Sequence, residues 1–303
     1  MEAGCSMEPH TSGGDREAIR HSRRRFLRWL LGGGLAVAAT GGGGLVYATA
    51  VEPGWLDVER VIVRLADLPP ALDGLRIAQL SDLHWGPYIG QREVRAAVQR
   101  ANALVPDLVV LTGDYVLHSA GYAAPCAHEL AALRAPLGVV AIPGNHDYWT
   151  DIDEVMAQLR TAGLVLLRNA ALRLEVGGSA LWLAGLDDVW EQRHDLEAAL
   201  AKVPRNEPVV LLVHEPDVAD QAARSPHRIL LQLSGHSHGG QVNLPLLGRP
   251  ILPWLGRVYP VGLQRVAGTA LQVYTNRGVG LIAPPVRFGC RPEVTHLTLA
   301  RAG

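Results

Sequence analysis

The chain has 303 residues, of which 48% are hydrophobic and 19% are charged, and its formal net charge is −1 at pH 7. This composition excludes a disordered chain, a collagen-like repeat and a strongly basic nucleic-acid-binding protein. The charge is unevenly distributed: residues 1–50 hold six arginines and four acidic residues, which leaves 22 basic and 25 acidic side chains for residues 51–303. The first 50 residues therefore form a compositionally distinct region.

This N-terminal region has the organisation of an export signal. The basic run Ser22–Arg28 contains consecutive arginines directly before Phe-Leu, and the uncharged stretch Trp29–Ala50 follows it. The pattern resembles the bacterial twin-arginine signal, which implies the twin-arginine export machinery as a partner. A stretch of this length could also stay in the membrane as an anchor, because helical residues rise about 1.5 Å each across about 30 Å of hydrocarbon. Both alternatives predict a domain at 51–303 outside the cytoplasmic membrane, periplasmic or extracytoplasmic, and they leave cleavage after Ala50 open.

From about residue 57 onward, short apolar runs alternate with amphipathic segments. Strands are predicted, in chain order, at 75–80, 108–111, 138–142, 180–184, 209–213, 229–233, 270–275 and 294–299. Helices are predicted near 90–104, 124–134, 151–162 and 193–202. The strand runs are rich in Val, Ile and Leu, as expected for strands that are buried on both faces. The alternation predicts one α/β domain with a largely parallel sheet.

Side chains that can bind metal follow five of the predicted strands. They are Asp82 and His84, Asp114, Asn145 and His146, His214, and His236 and His238. Ligands of open α/β sheets bind at the carboxyl ends of strands, where distant parts of a sequence meet. A single histidine at such a point is usually an ordinary loop residue, but five of the 12 histidines fall in these few positions.

The chemistry of this set favours divalent metals. Carboxylate, amide and imidazole ligands suit borderline ions such as Mn, Fe, Co or Zn. The set includes no thiolate, which argues against a structural zinc site. There are more ligands than one ion needs, whereas two ions that share a carboxylate would use them all. Paired metals of this kind catalyse in-line displacement at phosphorus.

The motifs Asp82-x-His84, Gly113-Asp114, Gly144-Asn145-His146-Asp147, His214 and Gly235-His236-x-His238 resemble, in order, those of the calcineurin-like metallophosphoesterases. The resemblance covers roughly residues 55–300. Ser237 stands where threonine is common in the family. The segments Gly239-Gly240-Gln241 and Arg287 to Glu293 look like those of a bacterial branch of exported or membrane-attached phosphodiesterases. The resemblance implies a four-layer α/β/β/α sandwich of two mixed β-sheets, with the metal site at strand carboxyl ends.

The resemblance also implies a role for each candidate residue. The first metal would be held by Asp82, His84 and His238, the second by Asn145, His214 and His236, and Asp114 would bridge the two. His146 would be catalytic, near the leaving group, where an imidazole acid contributes about 10²–10⁴-fold. The nucleophile would be a hydroxide that bridges two divalent ions. Asp147 would either orient His146 or cap a helix.

These residues predict a metal-dependent phosphohydrolase, and the first choice is a phosphodiesterase that acts on an envelope or lipid-linked phosphoester. A pyrophosphatase of the UDP-diacylglucosamine type in lipid A synthesis is an alternative, although its substrate is cytosolic. A nuclease is disfavoured because residues 51–303 carry a formal charge of −3 and no nucleic-acid partner is expected. The complete ligand set disfavours a catalytically silent binding module.

Several other residues receive weaker predictions. Asp187-Asp188 is expected to form a turn rather than to reach the metal edge, and His118 and His194 are expected at the surface. A phosphate contact by Arg277 is disfavoured.

Two features outside the motifs stay open. The proline-rich stretch Leu244–Trp254 could cover the active site or enter a lipid interface, but a loop packed on the sheet is favoured. Spacing leaves the state of Cys126 and Cys290 open, with two buried thiols favoured over a disulfide.

Overall fold

The computed structural model describes residues 42–302. The larger compact unit comprises Ala48–Gly303. The basic run Ser22–Arg28 and residues 29–41 lie outside the described residues, so the twin-arginine signal, the anchor and the domain boundary at residue 50 stay predictions. Between residues 42 and 302, no helix is both long enough and apolar enough to cross a membrane.

The β-strands of the larger unit belong to two six-stranded sheets. In chain order they are β1 (Asp57–Leu65), β2 (Arg76–Leu80), β3 (Leu108–Thr112), β4 (Val139–Ile142), β5 (Val165–Leu166), β6 (Ala170–Val176), β7 (Ser179–Gly185), β8 (Val209–Leu212), β9 (Ile229–Ser234), β10 (Gly262–Arg265), β11 (Gln272–Thr275) and β12 (Glu293–Arg301). The first sheet has the order β1-β12-β2-β3-β4-β5, and the second has the order β10-β11-β9-β8-β7-β6.

Both sheets are mixed. In the first, β2 to β5 run parallel, β12 pairs antiparallel with β2, and β1 runs parallel to β12. In the second, β7, β8, β9 and β11 run parallel and the outermost strands β6 and β10 are antiparallel. The four parallel strands of each sheet therefore deliver the loops that follow them to one edge.

The α-helices of the larger unit cover the outer faces of the sheets. They are α1 (Gln91–Ala103), α2 (Ala123–Leu130), α3 (Asn145–Thr150), α4 (Ile152–Thr161), α5 (Leu196–Leu200) and α6 (Ala219–Ala222). Helix α1 begins at Gly90, whose backbone N–H donates to the Glu93 carboxylate at 3.1 Å, and it buries Val94, Ala97 and Val98. This spacing places one apolar stripe against the sheet.

Alternate residues of the central strands face two different cores. In β3, Leu108 and Val110 lie between the two sheets, together with Leu183 and Val210 of the second sheet, whereas Val109 belongs to the core beneath the helices. Helices α5 and α6 form a third core with the outer face of the second sheet. The four-layer α/β/β/α sandwich with two mixed sheets is thus confirmed.

The alternation of apolar and amphipathic segments predicts the architecture less accurately than the resemblance to the family does. It predicts one largely parallel sheet, and it omits β1, β5, β6, β10, α3 and α6. Strands β1, β6 and β10 lie at sheet edges, and edge strands carry polar residues that weaken the apolar signal. Helix α3 has only six residues and begins inside the motif that was assigned to a strand end.

Candidate metal centre

The structure brings the predicted site residues together at the carboxyl edge of both sheets. Asp82 and His84 follow β2, Asp114 follows β3, Asn145 and His146 begin α3 after β4, His214 follows β8, and His236 and His238 follow β9. All are buried except His146, which is half-buried. We call the seven residues other than His146 the candidate metal centre.

The backbone at this centre is held in unusual conformations. Positive φ angles of 47° to 68° occur at Asp82, His84, Asp114, His236 and His238. Left-handed backbone costs a non-glycine residue about 1–3 kcal/mol, and it clusters at functional sites. The glycines beside these residues allow close approach: a Cβ at Gly144 would collide with Asp114, and one at Gly235 would collide with Ser81 and Asp82.

The first group of ligand atoms converges on one point. The Nε2 atoms of His84 and His238 lie 2.9 Å apart. Asp82 Oδ1 lies 3.3 Å from His238 Nε2 and 3.9 Å from His84 Nε2. Such separations are those of neighbouring ligands around one ion with bonds of about 2.0–2.2 Å. These residues can therefore hold a divalent cation.

Asp114 lies between the first group and the second. Its Oδ2 atom is 3.4 Å from His84 Nε2 and 3.1 Å from His214 Nε2. In the second group, Asn145 Oδ1 is 3.1 Å from His236 Nδ1, and the ring centres of His214 and His236 are 5.1 Å apart. The Asp114 carboxylate is thus positioned to contact a cation held by either group.

Backbone carbonyls orient two of the imidazoles. His214 Nδ1 lies 2.6 Å from the carbonyl oxygen of Thr112, and His236 Nε2 lies 2.8 Å from that of Trp254. Each ring therefore donates through one nitrogen and turns the other nitrogen towards the centre. His214 Nε2 is buried and forms no hydrogen bond of acceptable geometry within the described residues. A buried acceptor without a hydrogen bond fits a metal ligand.

Burial dominates the electrostatics of the first group. It lowers the pKa of His84 and of His238 well below the usual range, so both rings are neutral and able to bind metal. Burial raises the pKa of Asp82 to about 7, because a carboxylate removed from water is less stable in its ionised form, and the neighbouring Asp114 raises this pKa further.

The second group behaves differently. Burial opposes charge on both His214 and Asp114, yet their mutual attraction raises the pKa of His214 and lowers that of Asp114. A cation that binds here would replace the proton on His214.

His146 lies at the mouth of the centre. Its ring is 4.6 Å from that of His84 and 4.5 Å from that of Trp149, measured between ring centres. One of its nitrogens lies within 4.8 Å of a ring nitrogen of His84 and of a carboxylate oxygen of Asp114. Burial lowers its pKa. The backbone N–H of His146 donates to Asp114 Oδ1 at 2.8 Å. This hydrogen bond links the candidate catalytic residue directly to the candidate bridging carboxylate.

Asp147 is a structural residue of the α3 start. Its carboxylate accepts hydrogen bonds from the backbone N–H groups of Gly144, Asp114 and Tyr115 at 3.0, 3.0 and 2.8 Å. Both of its oxygens are therefore used to join the β3 and β4 loops. Of the two roles predicted for it, the geometry supports the capping one.

A second layer supports the loop behind Asp82. Arg287 is fully buried, and its guanidinium donates to the carbonyl oxygens of Cys290, Gly278 and Gly280 at 3.0, 3.1 and 2.7 Å. The N–H of Gly280 in turn donates to the carbonyl of Asp82 at 2.7 Å. The terminal motif that resembled a bacterial branch thus positions a candidate ligand.

The weaker predictions have mixed outcomes. Asp187 accepts from Tyr148 at 2.7 Å and pairs with Arg168, so it lies outside the centre. His118 is exposed as expected, but His194 is half-buried. Arg277 forms ion pairs with Glu59 and Glu293, which occupy its guanidinium.

The prediction that the two cysteines are buried thiols is confirmed. Cys126 and Cys290 are both buried free thiols. Burial raises the pKa of each, so both stay protonated.

Motif reasoning missed an aromatic wall around the centre. Trp149 contacts His146, and Trp190 lies 5.6 Å from Trp149 and from His236 and 5.3 Å from Trp254, measured between ring centres. These tryptophans come from α3, from the segment after β7 and from the segment after β9. The sequence spacing of Trp149 and Trp190 gives no signal, whereas Trp254 ends the Leu244–Trp254 stretch, for which cover of the active site is one of the alternatives.

The sandwich fold and the carboxylate–imidazole groups at its strand ends define a class, the metal-dependent phosphoesterases. The chain matches the calcineurin-like phosphoesterase family over residues 75–240. It is 37% identical to the uncharacterized metallophosphoesterase YkuE of Bacillus subtilis, over 92% of this chain and 97% of that protein. It is 34% identical to the phosphodiesterase YaeI of Escherichia coli, over 92% of this chain and 99% of that protein.

A longer relative extends the comparison. The chain is 35% identical to a transmembrane protein with metallophosphoesterase domain from Danio rerio, over 86% of this chain and 60% of that protein. With a family match over more than half of its length, the chain belongs to the calcineurin-like metallophosphoesterases. It is a hydrolase of phosphoester bonds, and its family uses divalent metals.

Proposed function

We propose that this protein is a dinuclear metal phosphodiesterase that acts on an envelope phosphoester, carried by a lipid or by a cell-wall polymer. The observation that supports it best is the position of the Asp114 carboxylate, 3.4 Å from His84 Nε2 and 3.1 Å from His214 Nε2. This position gives each of the two ligand groups a share in one carboxylate. Such sharing is the arrangement of two-metal phosphoryl-transfer sites.

When bound, two divalent ions would supply a nucleophile near neutral pH and neutralise charge on the phosphoryl oxygens. Asp82, His84 and His238 would hold one ion, and Asn145, His214 and His236 the other. The carbonyls of Thr112 and Trp254 fix two of these rings. The chain therefore contributes a preformed and buried ligand set, so little reorganisation is needed when metal or substrate binds.

His146 would act on the leaving group. It is half-buried at the mouth, so it can contact both a bound phosphoester and the solvent. Its protonated ring would donate a proton to the departing oxygen. Burial lowers the pKa of His146, and the negative charge of a bound phosphate would raise that pKa again. The ring would thus become an acid only when substrate is present.

The nature of the substrate is supported by three observations. One relative carries the name phosphodiesterase, and another is called a transmembrane protein. The arginine pair and apolar stretch within residues 22–50 resemble an export signal or an anchor. Export by the twin-arginine machinery, with or without retention in the membrane, would bring the enzyme to envelope phosphoesters.

The activity can be tested with the full chain and Mn²⁺ on bis(p-nitrophenyl) phosphate. Hydrolysis by the wild type and by Asp153→Asn, with its loss in Asp114→Asn, would support the proposal. Asp153 is an exposed carboxylate in the first turn of α4, so it is a matched control. No hydrolysis with any divalent metal would favour a silent binding module.

The substrate alternatives need parallel assays. Faster cleavage of DNA than of the small diester would favour a nuclease, and preferred cleavage of UDP-diacylglucosamine would favour the lipid A alternative. A reporter fused to the C-terminus would test export, since a cytoplasmic location would contradict an envelope substrate.

A further inference from the structure

The segment 244–258, which we call the rim loop, exposes an unusual number of large apolar side chains. Leu246 is 106% exposed, Leu247 78% and Ile251 74%. Trp254 and Val258 follow at 52% and 56%. Soluble surfaces carry scattered apolar residues, but a contiguous apolar patch marks an interaction site.

The tip of the rim loop is a preformed hairpin. The N–H of Leu244 donates to the carbonyl of Gly248 at 2.7 Å, and the N–H of Gly248 donates back at 2.9 Å. Leu246 at its apex has a φ of 68°, a left-handed conformation that favours glycine or asparagine over leucine. A fully exposed leucine in strained backbone contributes nothing to folding, which points to a contact made outside the chain.

The charge of the rim loop differs from that of the rest of the domain. It contains Arg249 and Arg257 and no acidic residue, whereas residues 51–303 as a whole are acidic. The side chain of Arg257 is exposed. Arg249 Nε is buried without a hydrogen-bond partner within the described residues. The surface therefore combines apolar tips with the exposed cation of Arg257, which is the chemistry that recognises an anionic lipid surface.

The rim loop is continuous with the candidate metal centre. The Trp254 carbonyl lies 2.8 Å from His236 Nε2, and the rings of Trp254 and Trp190 are 5.3 Å apart. At the other end of the aromatic wall, Trp149 is 51% exposed and contacts His146. Tryptophan is enriched at the interface between lipid and water, because its ring is apolar and its N–H is polar.

We infer that the rim loop docks on an anionic phospholipid bilayer. Leu246, Leu247 and Ile251 enter the acyl region, and Trp254 and Arg257 lie at the level of the phosphates. The mouth of the centre then faces the lipid headgroups. The inference that the protein docks on lipid depends only on the exposed residues of the rim loop. Cleavage of a lipid phosphoester rests in addition on the proposed function. A second copy of this chain is a poorer occupant, because a symmetric contact would bring two positively charged loops together.

Docking can be tested with an environment-sensitive fluorophore on Leu247→Cys in a Cys5→Ser background of the full chain. Cys126 and Cys290 are buried and stay unlabelled in the folded protein. The matched control is Val105→Cys. Val105 is also exposed, at 64%, and also has a positive φ, but it precedes β3 at the opposite edge of the sheet. Any attachment through the N-terminal region is the same for both variants.

With vesicles of phosphatidylglycerol and phosphatidylethanolamine, the emission of the probe at position 247 should shift to the blue, and that at position 105 should not. Equal responses of the two probes would overturn the inference. A shift at position 247 that depends on protein concentration without lipid would overturn it in favour of a second copy. If the probe at position 247 is shielded from water before lipid is added, the inference would be overturned, because another part of this chain would then cover the rim loop.

Kinetic measurements on two substrates separate the effect of lipid docking from the effect on phosphoester hydrolysis. The double variant Leu246→Ser with Leu247→Ser should lower the hydrolysis of a vesicle phospholipid by about tenfold or more. Its rate on bis(p-nitrophenyl) phosphate should stay that of the wild type, as should both rates of Val105→Ser. An equal loss on both substrates would overturn the inference. If the wild type hydrolyses neither substrate, the proposed function fails, and the fluorescence result still decides docking.

Discussion

The candidate metal centre and the rim loop invert the usual distribution of side chains. The centre buries two aspartates and four histidines that are each at most 6% exposed, whereas the loop exposes leucines at 78% and 106%. A buried ion costs several kcal/mol unless it is paired, and an exposed leucine forgoes about 1.5–3 kcal/mol of burial. Neither region is what folding alone would select. Each is complete only with something from outside the chain, a cation for one and an apolar phase for the other.

The largest expected effect comes from the residue that joins the two ligand groups. Asp114→Asn removes the shared negative charge but keeps the size of the side chain. We expect kcat/KM to fall by about 10³-fold or more, with fewer than two metal ions per chain by elemental analysis. Asp153→Asn should retain both values. Full activity of Asp114→Asn would contradict a bridging role.

A smaller loss is expected at the mouth of the centre. His146→Gln removes the acid, and kcat should fall by about 10²-fold or more. Metal content should stay at two ions per chain, because the proposed ligand set omits His146. Its nitrogen nevertheless lies within 4.8 Å of ligand atoms of His84 and Asp114. Loss of one ion from His146→Gln would therefore reassign it as a ligand.

The close packing of the centre can be broken without changing any ligand. An alanine at Gly235 would place its Cβ against Ser81 and Asp82, so Asp82 must move. A displacement of about 1 Å can cost about 10²-fold in rate, and we expect an activity loss of that order with weaker metal binding. Gly54→Ala is the control, because a Cβ there meets nothing within 4 Å. Equal activities would show that the centre is more adaptable than its geometry suggests.

The smallest effect concerns the stability of the folded protein and the neighbouring carboxyl groups of Asp188 and Glu215. Burial and the neighbouring Glu215 raise the pKa of Asp188 to about 9. Asp188 is then protonated in the folded protein and ionised in the unfolded chain above about pH 4. Its contribution to stability is complete below pH 4 and is lost as pH rises towards 9.

Asp188→Asn should therefore raise Tm by a few degrees at pH 8 relative to the wild type, and change it little at pH 4. Thermal unfolding at both pH values checks this, with Asp153→Asn as the control. A lower Tm at pH 8 would mean that Asp188 is ionised and stabilising in the folded protein. The test sharpens the comparison, because it shows whether a buried acid outside the candidate ligand set is neutral in the folded protein.

The candidate ligands could be predicted from sequence because each directly follows an apolar run. Burial on both faces makes β3, β4, β8 and β9 runs that consist mostly of Val, Ile and Leu, and makes β2 largely apolar, so the polar residues that follow these strands stand out. The edge strands β1, β6 and β10 could not be found this way, since one face or edge of each meets solvent. Helix α3 was hidden because its first turn consists of the motif itself.

By itself, the sequence determined the α/β class, the central strands, the family and the identities of the residues at the strand ends, because these depend on local composition and spacing. The tertiary structure alone decided which strands share a sheet. An apolar run in the sequence indicates that a strand is buried, but it does not indicate which strand pairs with it. It also decided that Asp114 lies between His84 and His214, and that Trp149, Trp190 and Trp254 form one wall. Contacts between segments so far apart in the chain exist only after the sheets have packed.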